Sequence, residues 1–305
     1  MAQPFAVSYV ACTSLLFASC ASRPQYSTHQ PHYARAAPLD GEPAHSLSRV
    51  SSKDGTPLAI ECAGQGPNLV IVHGGIGDRT RWTPLFPHLT RSFTVCAMDR
   101  RGRGESGDSP DYSLQKEVED VLAVVNSRSG PVYLLGHSFG ALCALEAAYR
   151  TDKILKLALY EPPLQERIDP ALISKMERLI NEGTPEQALL IFLEGIVMVA
   201  PREVAAMRAR PSWPKQVASI SSSLRQIRAV AAYRFDADRA RTLNTPTLLL
   251  TGSETASPHL KQAISGLMDS LPNRQLFVFD GQEHNAMDTV PDEFAQILKE
   301  FWLGS

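Results

Sequence analysis

The chain has 305 residues, with 30 lysines and arginines against 32 aspartates and glutamates and a net charge of −2, a balance that gives no electrostatic case for binding nucleic acid. Hydrophobic residues make up 44% and charged residues 20% of it, enough apolar content for one large core carrying an insertion. In chain order, the first 45 residues stand apart. An uncharged stretch from Phe5 to Ser22 precedes Arg23 and a polar, proline-bearing tail, a pattern that suits a signal peptide better than a transmembrane helix. Strands are then predicted at Leu47 to Ser51, Pro57 to Ala63, Leu69 to Val72, Phe93 to Ala97, Val132 to Leu135, Ile154 to Tyr160, Thr247 to Thr251 and Gln275 to Phe279. Asp54-Gly55 marks a hairpin, so the first strands are expected to be antiparallel. Helices are predicted near Trp82 to Leu89, Ser113 to Asn126, Phe139 to Arg150, Pro258 to Ser270 and Asp292 to Leu303.

This alternation predicts an α/β fold, a mostly parallel eight-stranded sheet covered on both faces. Between Pro163 and Asn244 the pattern changes to helical segments interrupted at Asp169-Pro170, Thr184-Pro185, Ala200-Pro201 and Ser212-Trp213-Pro214. The expected organisation is an N-terminal segment and linker over 1–45, a core over 46–162 and 244–305, and a helical cap over 163–243. Phe192, Met198, Met207, Trp213, Tyr233 and Phe235 are candidates to line a pocket beneath that cap, most such residues at helical spacing being plain packing.

Two glycine-rich turns carry chemistry. Gly136-His137-Ser138-Phe139-Gly140 lies between the apolar run ending at Leu135 and the helical stretch from Ala141, the context of a nucleophile elbow. Side chains at the flanking positions would collide with strand and helix, and the strained serine would project Oγ above the sheet edge. Earlier, Leu69 to Val72 runs into His73-Gly74-Gly75-Ile76-Gly77-Asp78. Backbone N–H groups on such a loop can face the negative charge that develops in acyl transfer, and the amides of Gly75 and Phe139 are the candidate oxyanion hole.

With these turns the chain resembles the α/β-hydrolase superfamily, from about Leu47 to Leu303. Asp99-Arg100-Arg101-Gly102-Arg103-Gly104-Glu105-Ser106 looks like its Asp-x-Arg-Gly-x-Gly-x-Ser loop, Pro246 to Thr251 like its penultimate strand, and Gly281-Gln282-Glu283-His284 like its histidine loop. A serine hydroxyl needs a neighbouring base; His284 follows the last predicted strand and fits the order nucleophile, acid, histidine. His73 and His137 read as structural and His259 as a surface residue. For the acid, Glu254 is preferred, because it follows the strand Thr247 to Leu250 where the superfamily usually places it. Many relatives carry aspartate there or one residue further on, where this chain has Thr255. Glu161, after the strand Ile154 to Tyr160, is the second candidate; Asp280 and Glu283 are the remaining ones.

Cys62, Cys96 and Cys143 read as small core residues, with no spacing that suggests a disulfide framework. The chain has no Cys-x-x-Cys and no His-Glu-x-x-His, so no metal and no cofactor is expected. Leu16-Phe17-Ala18-Ser19-Cys20 resembles a bacterial lipobox, in which Cys20 would be lipidated and hold the protein at a membrane; the alternative is an uncleaved tail on a cytoplasmic enzyme. The resemblance implies a cofactor-free serine hydrolase for a small to medium, largely apolar carboxylic ester or lactone, with Ser138, His284 and Glu254 as its triad. Carbon-carbon bond hydrolysis or lyase chemistry is the alternative on the same residues, and a hydrolase-like ligand-binding protein the alternative outside catalysis. A small-molecule substrate is the expected partner.

Overall fold

A computed structural model of the protein describes residues 44–164 and 168–304; the signal-like segment with Cys20 lies outside the described residues. Eight strands form one sheet: β1 (Ser46–Ser51), β2 (Pro57–Ala63), β3 (Asn68–Val72), β4 (Thr94–Met98), β5 (Val132–His137), β6 (Ile154–Tyr160), β7 (Thr247–Gly252) and β8 (Arg274–Phe279). Their order is β1-β2-β4-β3-β5-β6-β7-β8. Pairing is antiparallel from β1 to β2 and from β2 to β4, and parallel everywhere else. This is the mostly parallel eight-stranded α/β sheet expected from the alternation of elements, in the arrangement that the resemblance to α/β hydrolases implies.

Side chains of a strand point alternately to the two faces, and both faces here are apolar. Val70, Val72, Val132 and Leu134 join one core with α2 (Leu114–Ser127) and α3 (Phe139–Ala148). Leu69, Ile71, Tyr133 and Leu135 join the other. There they meet Trp82 and Leu85 of a 3-10 turn, Arg79–Leu85, which runs into α1 (Phe86–Leu89). The helix predicted from Trp82 thus begins earlier and tighter, because Asp78 caps it by accepting from Thr80 N.

Between β6 and β7 the chain is helical, with α4 (Pro170–Asn181), α5 (Pro185–Leu190), a π-helical segment Ile191–Val197, α6 (Pro201–Arg208), α7 (Trp213–Ala232) and α8 (Ala237–Ala240). The prolines that interrupt the pattern open helices: each of α4, α5, α6 and α7 has one in its first two positions, where the missing N–H costs no bond. The insertion has its own core, built on Met176, Leu189, Leu193, Ile220, Leu224 and Ile227. After β7 come α9 (Pro258–Ser270), α10 (Ala286–Thr289) and α11 (Pro291–Leu303), with α11 packed on the second sheet face through Phe294, Leu298 and Trp302.

The cysteine expectation is corrected in one respect. Cys62 and Cys96 form a disulfide, while Cys143 is free and buried. The cause is register: β2 pairs with β4, not with its sequence neighbour β3, and places Cys62 opposite Cys96 with 4.1 Å between Cα atoms. A bridge closing a sequence separation of 34 residues removes loop entropy from the unfolded chain worth about 3–4 kcal/mol. Reduction, or Cys62→Ala with Cys96→Ala, is expected to lower unfolding free energy by that order, read from denaturant curves with and without reductant.

Candidate functional site

Ser138 sits between the end of β5 and the start of α3 with φ 52° and ψ −124°, a conformation that costs an L residue about 1–3 kcal/mol. The surroundings leave no alternative. A Cβ on Gly136 would lie 2.5 Å from Ala141 Cα, and one on Gly140 would lie 2.4 Å from the His73 carbonyl oxygen. Strand and helix are therefore packed to glycine distance on both sides of the serine. Ser138 N–H donates to Tyr160 O at 2.8 Å, fixing the turn against β6. Phe139 opens α3, where helix geometry supplies its N–H with no acceptor, and its ring lies 4.5 Å beneath the Arg100 guanidinium.

His284 lies on the loop before α10 and is only 9% exposed. Its Nδ1 donates to Glu161 Oε2 at 2.5 Å, which leaves Nε2 as the outward-facing nitrogen. Glu161 is the first residue after β6, fully buried, with φ 47°. Its other oxygen, Oε1, accepts from Thr251 Oγ1 at 2.6 Å, Gly252 N at 3.0 Å and Thr255 Oγ1 at 2.5 Å. Burial pushes this carboxyl upward, but the bonds from His284, Thr251 and Thr255 outweigh it and hold it below the ordinary glutamate value. The preference for Glu254 is therefore corrected. Glu254 is exposed, and its recorded bond is a backbone one, N–H to Gln282 O. The end of β7 contributes hydroxyls and an amide that hold an acid from β6, where an acid of its own was expected.

The histidine loop is held from below. His137 Nε2 donates to His284 O at 3.0 Å, and the Tyr160 hydroxyl donates to Glu283 O while accepting from Ala286 N–H. Burial drives His137 and His73 well below the ordinary histidine value, so both rings are neutral. His73 Nε2 accepts from Arg100 N at 3.1 Å, and its Nδ1–H therefore donates to Gly74 O at 2.8 Å. Arg100 continues the chain of contacts: it is 1% exposed, pairs with Glu117 through both its Nε and Nη2, and donates from Nη1 to Gly74 O at 2.8 Å. Gly75 and Phe139 both line a cavity that Ser138 and His284 also line.

That cavity has two lobes, which share Gly75, Ser138, Phe192, Val197 and His284. The first is lined by Arg81, Gln216 and Asn285 among apolar residues; the second is apolar apart from Ser138, His284 and Gln226. Of the six pocket candidates, Phe192 and Met207 line it. Trp213 packs inside the insertion, Tyr233 and Phe235 pack against the main core, and Met198 is 41% exposed.

Fold and site together define an α/β hydrolase. The alpha/beta hydrolase family model matches residues 69–297, and the chain belongs to that family. It is 34% identical to a solved alpha/beta hydrolase from Sphaerobacter thermophilus, with a TM-score of 0.74, over 84% of this chain and 100% of that one. Carboxylesterase CesB from Bacillus subtilis shares the fold at 17% identity and a TM-score of 0.68, over 86% and 93% of the two chains. The 2-(acetamidomethylene)succinate hydrolase of Mesorhizobium japonicum is 23% identical over 270 residues, 84% of this chain and 95% of that protein.

One titrating contact joins the insertion to the histidine loop. Asn285 Nδ2 donates to Glu203 Oε1, and Arg202 pairs with Glu283 at 2.8 Å. Burial and the adjacent Glu283 carboxylate push Glu203 up to about 7. The folded chain then binds more protons than the unfolded chain between the ordinary glutamate value and about 7, so stability falls as pH rises through that window. Glu203→Gln is expected to match the wild-type thermal midpoint at about pH 5 and exceed it at about pH 8; midpoints measured across that range check it.

Proposed function

We propose that the protein is a serine hydrolase that needs no group beyond its own side chains, cleaving a small to medium carboxylic ester or lactone. One observation carries the reading: a serine held in a strained strand-to-helix turn opens into the same cavity as a histidine whose Nδ1 is bonded to a buried carboxylate. In this reading Ser138 Oγ attacks the carbonyl carbon while His284 Nε2 takes its proton. Glu161 keeps the imidazole in the Nδ1–H tautomer and stabilises the imidazolium. The amides of Gly75 and Phe139 donate to the oxyanion. His284 returns the proton to the departing alkoxide, and the acyl group stays on Ser138. Water, activated by the same nitrogen, then releases the acid through a second oxyanion and restores the serine.

The insertion acts in this reading as a cap: Phe192 and Val197 reach the junction of the two lobes, so acyl and alcohol parts would lie on either side with bulk water excluded. The mostly apolar lining supports a largely apolar substrate. The exposed position of Glu254 does not revive a non-catalytic receptor, because Glu161 supplies the orientation that His284 needs. The Cys62–Cys96 disulfide supports an oxidising compartment and hence export, with lipidation at Cys20 as the proposed means of membrane attachment.

A fluorophosphonate probe is expected to label the wild type stoichiometrically and Ser138→Ala not at all, read by intact mass. On whichever ester the enzyme turns over, Glu161→Gln should lower kcat by about 10³–10⁴-fold, whereas Glu254→Gln should stay within about twofold of wild type. The reverse pattern would return the acid to the end of β7.

A further inference from the structure

We infer that Gln226, from helix α7 of the insertion, is a third hydrogen-bond donor to the reacting carbonyl oxygen, beside the amides of Gly75 and Phe139. The inference rests on the serine-hydrolase reading and extends it to a residue outside the core. Gln226 is 3% exposed. Its Oε1 accepts from Arg100 Nη2 at 2.6 Å and from Arg103 Nη2 at 3.4 Å. An arginine has donors and no acceptor, so only the amide oxygen can face the two guanidiniums, and the NH₂ must point the other way.

In that direction lies the site. A Cβ built on Gly75 would be 2.5 Å from Gln226 Nε2, which places the carboxamide nitrogen against the backbone of one candidate oxyanion donor. The lobe that Gln226 lines also contains Ser138, Phe139 and Gly75. No acceptor for Nε2 occurs among the described residues. Its N–H groups are thus available to an acceptor beside Gly75, and the one that arrives there during acyl transfer is the carbonyl oxygen as it gains charge. The same contact explains Gly75, whose side-chain position is filled by Gln226.

The arrangement is preorganised. Arg100 is held by Glu117 and by the Gly74 carbonyl, so one buried guanidinium sets the glycine loop and the Gln226 amide together. Arg103 further fixes α7 by donating to Ser219 O at 2.9 Å and Ser223 Oγ at 2.8 Å. The donor therefore costs no reorganisation at the moment of reaction, the condition under which such groups are most effective.

The test is the rate at which a simple alkyl fluorophosphonate, whose phosphonyl oxygen occupies the oxyanion position, labels the full protein. Gln226→Leu removes donor and acceptor; Gln226→Glu keeps the shape and the oxygen that Arg100 requires, but replaces the donor with an acceptor and adds a negative charge that the two guanidiniums face. Both are expected to lower the maximal labelling rate by about 100-fold, with half-saturation concentration within about threefold of wild type and folded far-ultraviolet circular dichroism. Wild-type rates in either variant overturn the inference while leaving the serine-hydrolase reading intact. A loss in Gln226→Leu that Gln226→Glu restores also overturns it, since the residue would then serve only as an acceptor for Arg100. Failure of Ser138 to label in the wild type overturns both.

Discussion

The burial of Arg100 constrains the rest of the site. A guanidinium that is 1% exposed must find acceptors in the protein, because an unpaired buried charge costs several kcal/mol. The acceptors come from three places: Glu117 on α2, the Gly74 and His73 carbonyls on the loop after β3, and Gln226 on α7. The same residue's backbone N–H fixes the His73 tautomer. Satisfying one charge therefore aligns the glycine loop, a core helix and the insertion, and the cation rests on the Phe139 ring next to the serine.

Around this anchor two strained residues face each other across neighbouring strands. Ser138 follows β5 with φ 52°, and Glu161 follows β6 with φ 47°. Both occupy a region that L residues avoid, and the strands that carry them are paired in parallel register up to His137 and Tyr160. The two distortions turn the chain off the sheet at one level, which brings Ser138 and Glu161 to the same edge. The strain is held by bonds that cross between strands: Ser138 N–H to Tyr160 O, and Glu161 N–H to Leu250 O.

Much of this architecture is visible along the chain, and the exceptions share a cause. The inner parallel strands coincide with short apolar runs, since both faces of a parallel sheet are buried, whereas the edge strand β1 is exposed along most of its length. The turn around Ser138 is legible because its glycines answer a local steric demand. The Cys62–Cys96 pair is not, because it depends on β2 crossing over to β4, a partner choice with no local signal. Glu161 was visible as a candidate but not preferred: the evidence in its favour lies in Thr251 and Thr255, about ninety positions away, whose hydroxyls matter only once β6 and β7 are side by side. Gln226 resembles any polar residue on a helix until Arg100 and Arg103 orient it.

The placement of the acid has a consequence for the end of β7. Glu161 Oε1 already takes three donors, and Thr255 is one of them. A second carboxylate at that position would face the first at hydrogen-bond distance in a buried site, where two like charges cannot both remain ionised. The hydroxyl at 255 and the carboxylate at 161 are thus two halves of one solution. Thr251, Gly252 and Thr255 together supply the donors that a buried carboxylate at 161 requires. His284 donates from Nδ1 to that carboxylate, so carboxylate, hydroxyls and imidazole form one connected network at the ends of β6 and β7.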